Sequence, residues 1–166
     1  IKKAMALDAK KAGQEGKWLV TLHKSSWIPF LQYADNRELR KLVYTGWMNR
    51  GNNGNEFDNN ANLAKMASFR VKKANLLGYN SWASYILEDN MAKTPEGVNE
   101  LLMNLWNRAL PIAKNEVIEM QKIIDAEGGN FKLASWDWWY YTEKVRKAKY
   151  DLDEEELRPY FEINNV

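Results

Sequence analysis

The stretch from Thr94 to Gly129, TPEGVNELLMNLWNRALPIAKNEVIEMQKIIDAEGG, constrains the fold more than any other part of this chain. Val98, Leu101, Leu105, Ala109, Ile112, Met120 and Ile124 recur at three- and four-residue steps. The stripe breaks at Glu116, where the adjoining Val117 takes over. Such spacing puts apolar side chains on one side of an α-helix. Thr94 is placed to cap that helix and Pro95 to occupy its first position, where a missing amide proton costs nothing. Gly128 and Gly129 end it. Pro111 lies inside, where it removes one hydrogen bond and crowds the preceding turn, so a kink is expected there.

The same period recurs elsewhere. Asn36 is placed to cap a helix carrying Leu39, Leu42, Val43 and Trp47, ended by Gly51. The loop RGNNGNEFDNN follows. A further helix starts near Asn59 or Asn60, with Leu63, Met66, Ala67, Val71, Ala74 and Leu77 on its apolar side and Gly78 as a left-handed cap. A short helix after Asn80 and Ser81 directs Trp82, Tyr85 and Ile86 inward, and a last helix begins near Ser135. Only KWLVTLH, residues 17–23, reads as extended, through Trp18, Val20 and Leu22. The reading is a mainly α chain, residues 1–166 as a single helical segment, with at most one short extended segment near 17–23. No repeat of about 34 residues is found.

Bulk properties remove several function classes. The 166 residues carry a net charge of only +2, which argues against nucleic-acid binding. There is no cysteine, so disulfides and thiolate metal sites are excluded. No apolar run approaches the roughly 20 residues that cross a bilayer. The chain starts with IKKAMALDAKK, without Met, which fits an internal piece of something longer.

Catalytic patterns are sparse. His23 is the sole histidine. One His, no Cys and no HExxH cannot supply the three protein ligands that a catalytic zinc usually has. Ser25 and Ser26 adjoin His23, but nothing resembles a nucleophile elbow. The acidic run Asp151, Asp153, Glu154, Glu155 and Glu156 lacks the central glycine and late glutamate of an EF-hand, and reads as the favourable first turn of a helix. GNNG lacks the Lys-Ser/Thr of a phosphate loop. That leaves the cluster Trp136, Trp138, Trp139, Tyr140 and Tyr141. On a helix Trp136, Trp139 and Tyr140 share one side, with Trp138 and Tyr141 elsewhere, so the segment is expected to be buried on several sides. A platform for carbohydrate or peptide is the sharper alternative. After it, Lys144, Arg146, Lys147 and Lys149 are expected to form a solvated face, with Val145 and Tyr150 turned inward.

Three stretches then carry a family resemblance. GKWLVTLHKSSWIPFLQYADNRELRKLVYTGWMNRG resembles a landmark of thimet-oligopeptidase-type zinc metallopeptidases, through Thr21, Leu22, Trp27, Pro29, Arg37, Leu39, Arg40, Arg50 and Gly51. ANLLGYNSWASYILEDNMAKTPEGV resembles the next, through Leu76, Leu77, Gly78, Tyr79, Tyr85, Met91, Ala92, Pro95 and Val98. Trp136, Asp137, Tyr140, Tyr141, Arg158, Pro159, Tyr160 and Phe161 match the third. His23 departs from the family, where aspartate is common. Within it, the chain is most similar to the bacterial peptidyl-dipeptidase branch, with oligopeptidase A as the near competitor.

The resemblance implies a helical framework piece of a longer enzyme that hydrolyses short peptides and releases C-terminal dipeptides. The zinc, its HExxH helix and third glutamate ligand would lie downstream of the RPYF segment. No catalytic, metal-ligating or substrate-binding residue is therefore carried over to this chain, and the piece itself is expected to be inactive and to hold no cofactor. Its partner would be the remainder of its own polypeptide, with no nucleic acid and no membrane span, in cytoplasm or periplasm. A stand-alone binding module built on residues 136–141 and a purely structural helical scaffold are the competing readings.

Overall fold

The computed structural model describes residues 2–150 and 158–161, and of Arg158 and Pro159 only the backbone. Among the described residues the elements are seven α-helices and two short 3-10 helices. The α-helices are α1 (Lys2–Lys11), α2 (Lys24–Tyr33), α3 (Arg37–Met48), α4 (Asn60–Leu76), α5 (Trp82–Leu87), α6 (Pro95–Ala126) and α7 (Trp138–Tyr150). The 3-10 helices span Ser135–Asp137 and Arg158–Phe161. The described residues contain no strand, and residues 17–23 form an irregular link between α1 and α2 with bends at Lys17, Leu22 and His23. Leu19 donates to the Met5 carbonyl at 3.1 Å, and Val20 packs against the aromatic core instead.

The start and stop signals act as local chemistry requires. Asn36 accepts the Leu39 amide at 3.0 Å, and Thr94 accepts the Gly97 amide at 3.2 Å with Pro95 opening α6. Ser81 caps α5 by accepting from the Ser84 amide at 3.0 Å. Gly78 takes φ +85° after α4, a conformation that a Cβ disfavours. α6 runs through Pro111 as one helix of 32 residues. Two helices go beyond the sequence expectation. α1 has only Ala9 buried, and α2 contains Pro29. In α2 the lost backbone bond is offset by burying Trp27, Phe30 and Leu31.

The chain forms two compact units, Ile1–Met48 with Val117–Val166, and Asn49–Glu116. The first unit holds both apolar cores. In one, Trp27, Phe30 and Leu31 gather Met5, Val20, Val43, Tyr44 and Trp47, with the Trp27 and Trp47 ring centroids 4.6 Å apart. In the other, Met120, Ile124 and Tyr141 gather Phe131, Leu133, Trp138 and Val145.

In the second unit α4 buries only Ala74, although its stripe has the right period. Leu63, Met66, Val71 and Leu77 are exposed. α6 buries only Met120 and Ile124, which belong to the first unit, so its part in the second unit buries none. Leu101 is 60% exposed and Ile112 61%. Ile86 of α5 is also exposed, against the expectation that it faces inward. Periodicity fixes which side chains share a face, but burial needs a neighbour to cover that face.

Candidate functional site

The most organised polar feature is a buried charge cluster centred on Asp137. Its carboxylate is fully buried at the end of the 3-10 turn that precedes α7. Arg37 donates from Nε to both carboxylate oxygens at 3.1 Å and from Nη2 to Oδ2 at 2.8 Å. Arg40 donates from Nη2 to Oδ1 at 3.0 Å. The Ala134 amide donates to Oδ2 at 3.2 Å, so the same carboxylate also holds the start of its own turn. Arg37 and Arg40 are three residues apart on α3 and therefore on one side of it. The forked, fully charged guanidinium suits such bidentate work better than an ammonium would.

Rings enclose the charges. The Arg37 guanidinium carbon lies 4.1 Å from the Phe131 ring centre and 5.4 Å from that of Trp136. Arg40 lies 4.1 Å from the Tyr140 ring centre, and its Nη1 donates to the Ala34 and Asp35 carbonyls at 2.7 and 3.0 Å. The Tyr140 hydroxyl donates to Asp35 Oδ1 at 2.8 Å. Burial and then this bond push the Tyr140 phenol above its ordinary pKa. Tyr141 is pushed up too, by burial first and then by the charge of Glu127. One buried carboxylate thus faces two guanidiniums, and the cluster joins α3, the Ala134 turn and α7. It contains no nucleophile paired with a base. Its chemistry is positioning.

The aromatic cluster is buried unevenly. Tyr141 is the ring buried in the core, at 5% exposure, whereas Trp139 is 37% exposed and meets Trp27 edge-on at 6.2 Å. Trp136 is half-buried and stands beside Tyr44 and Lys41. Residues 135–137 form a 3-10 turn ahead of the α-helix that starts at Trp138, and Trp136 and Tyr140 both pack against α3, beside Arg37 and Arg40.

The basic residues after it are not simply a solvated face. Lys144 pairs with Glu127, Arg146 with Glu143 at 2.5 Å, and Lys149 with Glu119 at 2.7 Å. Burial alone would lower the Lys144 pKa, but hydrogen bonds to Glu127 and Tyr140 outweigh it and the net shift is upward. Val145 packs into the second core, as expected. Tyr150, expected inside, is 74% exposed because it is the last residue of α7 and the core ends before it.

His23 is exposed and precedes α2, its carbonyl accepting the Ser26 and Trp27 amides at 2.9 and 3.1 Å. The Ser26 hydroxyl accepts the Thr21 amide at 3.0 Å and so serves a local turn. The acidic run 151–156 lies outside the described residues. Among the described residues no three His, Cys, Asp or Glu side chains gather so as to hold a metal ion. The donor set that zinc requires is thus not met by the described residues, and no step through a metal is derived from them. Nor is any described helix long and apolar enough to cross a membrane.

The first and third sequence landmarks therefore meet in space. Arg37 and Arg40 come from one, Asp137 and Tyr140 from the other, about a hundred residues away. No motif in the sequence encodes that pairing. The available signal was two arginines at i, i+3 and one aspartate set among tryptophans. Together these features define a helical framework segment whose landmark residues hold one another.

Comparison with known proteins agrees. The model of peptidase family M3 matches residues 30–166. The dipeptidyl carboxypeptidase of Escherichia coli (strain K12) is 36% identical over 159 residues, 95% of this chain and 23% of that protein. Oligopeptidase A of the same strain is 35% identical over 169 residues, covering 97% of this chain and 25% of that protein. The organellar oligopeptidase A of Arabidopsis thaliana, chloroplastic/mitochondrial, is 35% identical over 155 residues, 92% of this chain and 19% of that protein. This chain belongs to peptidase family M3. It spans about a quarter of the length of the curated relatives it matches.

Proposed function

We propose that this chain is a framework segment of a zinc metallopeptidase that hydrolyses short peptides, and that the whole enzyme is a peptidyl-dipeptidase releasing C-terminal dipeptides. The match to peptidase family M3 over residues 30–166 carries this reading. The relative named dipeptidyl carboxypeptidase supports the finer assignment, and those named oligopeptidase A mark its competitor. The segment's work is to keep helices in register through the Asp137 cluster. The remainder of its own polypeptide would be its partner, and that remainder would supply the zinc ligands. Zinc bound there would polarise the scissile carbonyl and acidify a water. The aromatic residues 136–141 are engaged with Arg37, Arg40, Tyr44 and Trp27, which disfavours their use as a carbohydrate or peptide platform.

The test is expression of the whole reading frame and of this chain alone, each given blocked and free oligopeptides. Release of C-terminal dipeptides by the whole protein is expected. Cleavage only at internal bonds would move the assignment to the oligopeptidase type, and no hydrolysis would remove the peptidase reading. The 166-residue chain is expected to be inactive and to retain no stoichiometric zinc after dialysis.

A further inference from the structure

α4 presents a continuous stripe at three- and four-residue steps that lines an open groove of about 310 Å³. Lys65, Met66, Phe69, Arg70 and Lys73 lie along it, and Trp82 of α5 adds to the lining. Met66 and Phe69 are 47% and 55% exposed, so the floor is apolar and uncovered. The whole helix carries four cations, Lys65, Arg70, Lys72 and Lys73, and no carboxylate. Among the described residues none of the four meets a carboxylate. They lie instead near rings. Lys65 and Lys72 are 5.7 and 5.8 Å from the Phe69 ring centre, and Arg70 and Lys73 each 5.7 Å from that of Trp82.

An occupant complementary to this surface must bring apolar side chains for the floor and carboxylates for the rim. The lining stripe covers eleven steps from Asn62 to Lys73, or about 16 Å at the helical rise per residue. Three turns of a second helix have that length, and an amphipathic helix lying in a groove is a recurring mode of recognition. We propose that this groove seats an acidic amphipathic helix from the remainder of the same polypeptide. The proposal rests on the reading above, that the chain is part of a longer peptidase; relatives about four times its length leave ample sequence for such a helix.

The experiment compares K65E/R70E/K73E and the milder K65Q/R70Q/K73Q with wild type, in the whole polypeptide and in the 166-residue chain. In the whole polypeptide the reversal is expected to lower the melting temperature by several degrees, the neutral variant by less, with both gaps narrowing as salt rises. In the 166-residue chain both variants are expected to change the melting temperature less than in the whole polypeptide, because only the contacts of these cations with rings are lost there and no carboxylate partner is. An unchanged whole polypeptide, or equal loss in both lengths, overturns the proposal. So does a concentration-dependent dimer of the short chain that the reversal abolishes, which would make the occupant a second copy. Peptide hydrolysis by the wild-type whole protein reports separately on the peptidase reading.

Discussion

Replacing Asp137 by Asn removes one charge while keeping the side chain's shape. In the folded chain that carboxylate is fully buried and takes hydrogen bonds from Arg37, Arg40 and the Ala134 amide. Breaking a buried pair by removing one partner costs about 3–5 kcal/mol, chiefly because the other charge is left uncompensated. Here the two guanidiniums differ. The Arg40 side chain is 1% exposed and has nowhere to go, whereas Arg37 is 27% exposed and can recover some hydration. The lower end of the range applies, about 3 kcal/mol. For a domain of this size that corresponds to a fall of about 6–12 °C in melting temperature. Urea denaturation followed by circular dichroism and by Trp fluorescence measures it. Asp137→Asn combined with Arg40→Met should show a coupling energy on the order of 1–3 kcal/mol. A single variant within about 0.5 kcal/mol of wild type would refute the claim that the cluster holds α3 to the start of α7.

Other outcomes follow from the same geometry. Gly129→Ala would place a Cβ 2.7 Å from Ile124 Cγ2 and 3.0 Å from Phe131 Cε1, and is expected to destabilise by about 1–3 kcal/mol by overpacking. Gly128→Ala meets no atom within 4 Å but forces φ +77° on a residue with a Cβ, so its loss of about 1 kcal/mol is a backbone cost. Ile124→Ala should cost about 2–5 kcal/mol in this chain, while Leu101→Ala, at an exposed site, should stay within about 0.5 kcal/mol. The Tyr140 and Tyr141 phenols titrate higher in the folded chain than their ordinary value near 10. Their contribution is complete below that pH and is lost as pH rises through the folded values, so the chain should weaken under alkali. Tyr140→Phe should reduce that alkaline loss, as read by phenolate absorbance alongside helicity.

Local signals determined most of the helix pattern. Asn36, Ser81 and Thr94 cap where their hydroxyl or amide oxygens meet free amides, and Gly78 ends α4 because it tolerates a positive φ. Such signals act within about one helical turn, so one sequence carries them in full. α2 was hidden because Pro29 speaks against a helix locally and only the burial of Trp27, Phe30 and Leu31 outweighs it. The family landmarks were legible as residues, but the contact between two of them was not.

The amino-acid sequence by itself thus determined where most of the helices from α3 onward start and stop, which side chains share a face, and which family the landmarks resemble. Tertiary structure alone decided that Arg37 and Arg40 meet Asp137, and that Met120 and Ile124 are covered while Leu101 and Phe69 are not. The physical reason is range. Capping and periodicity are set by neighbours a few residues away, whereas burial and ion pairing depend on chain segments that only folding brings together.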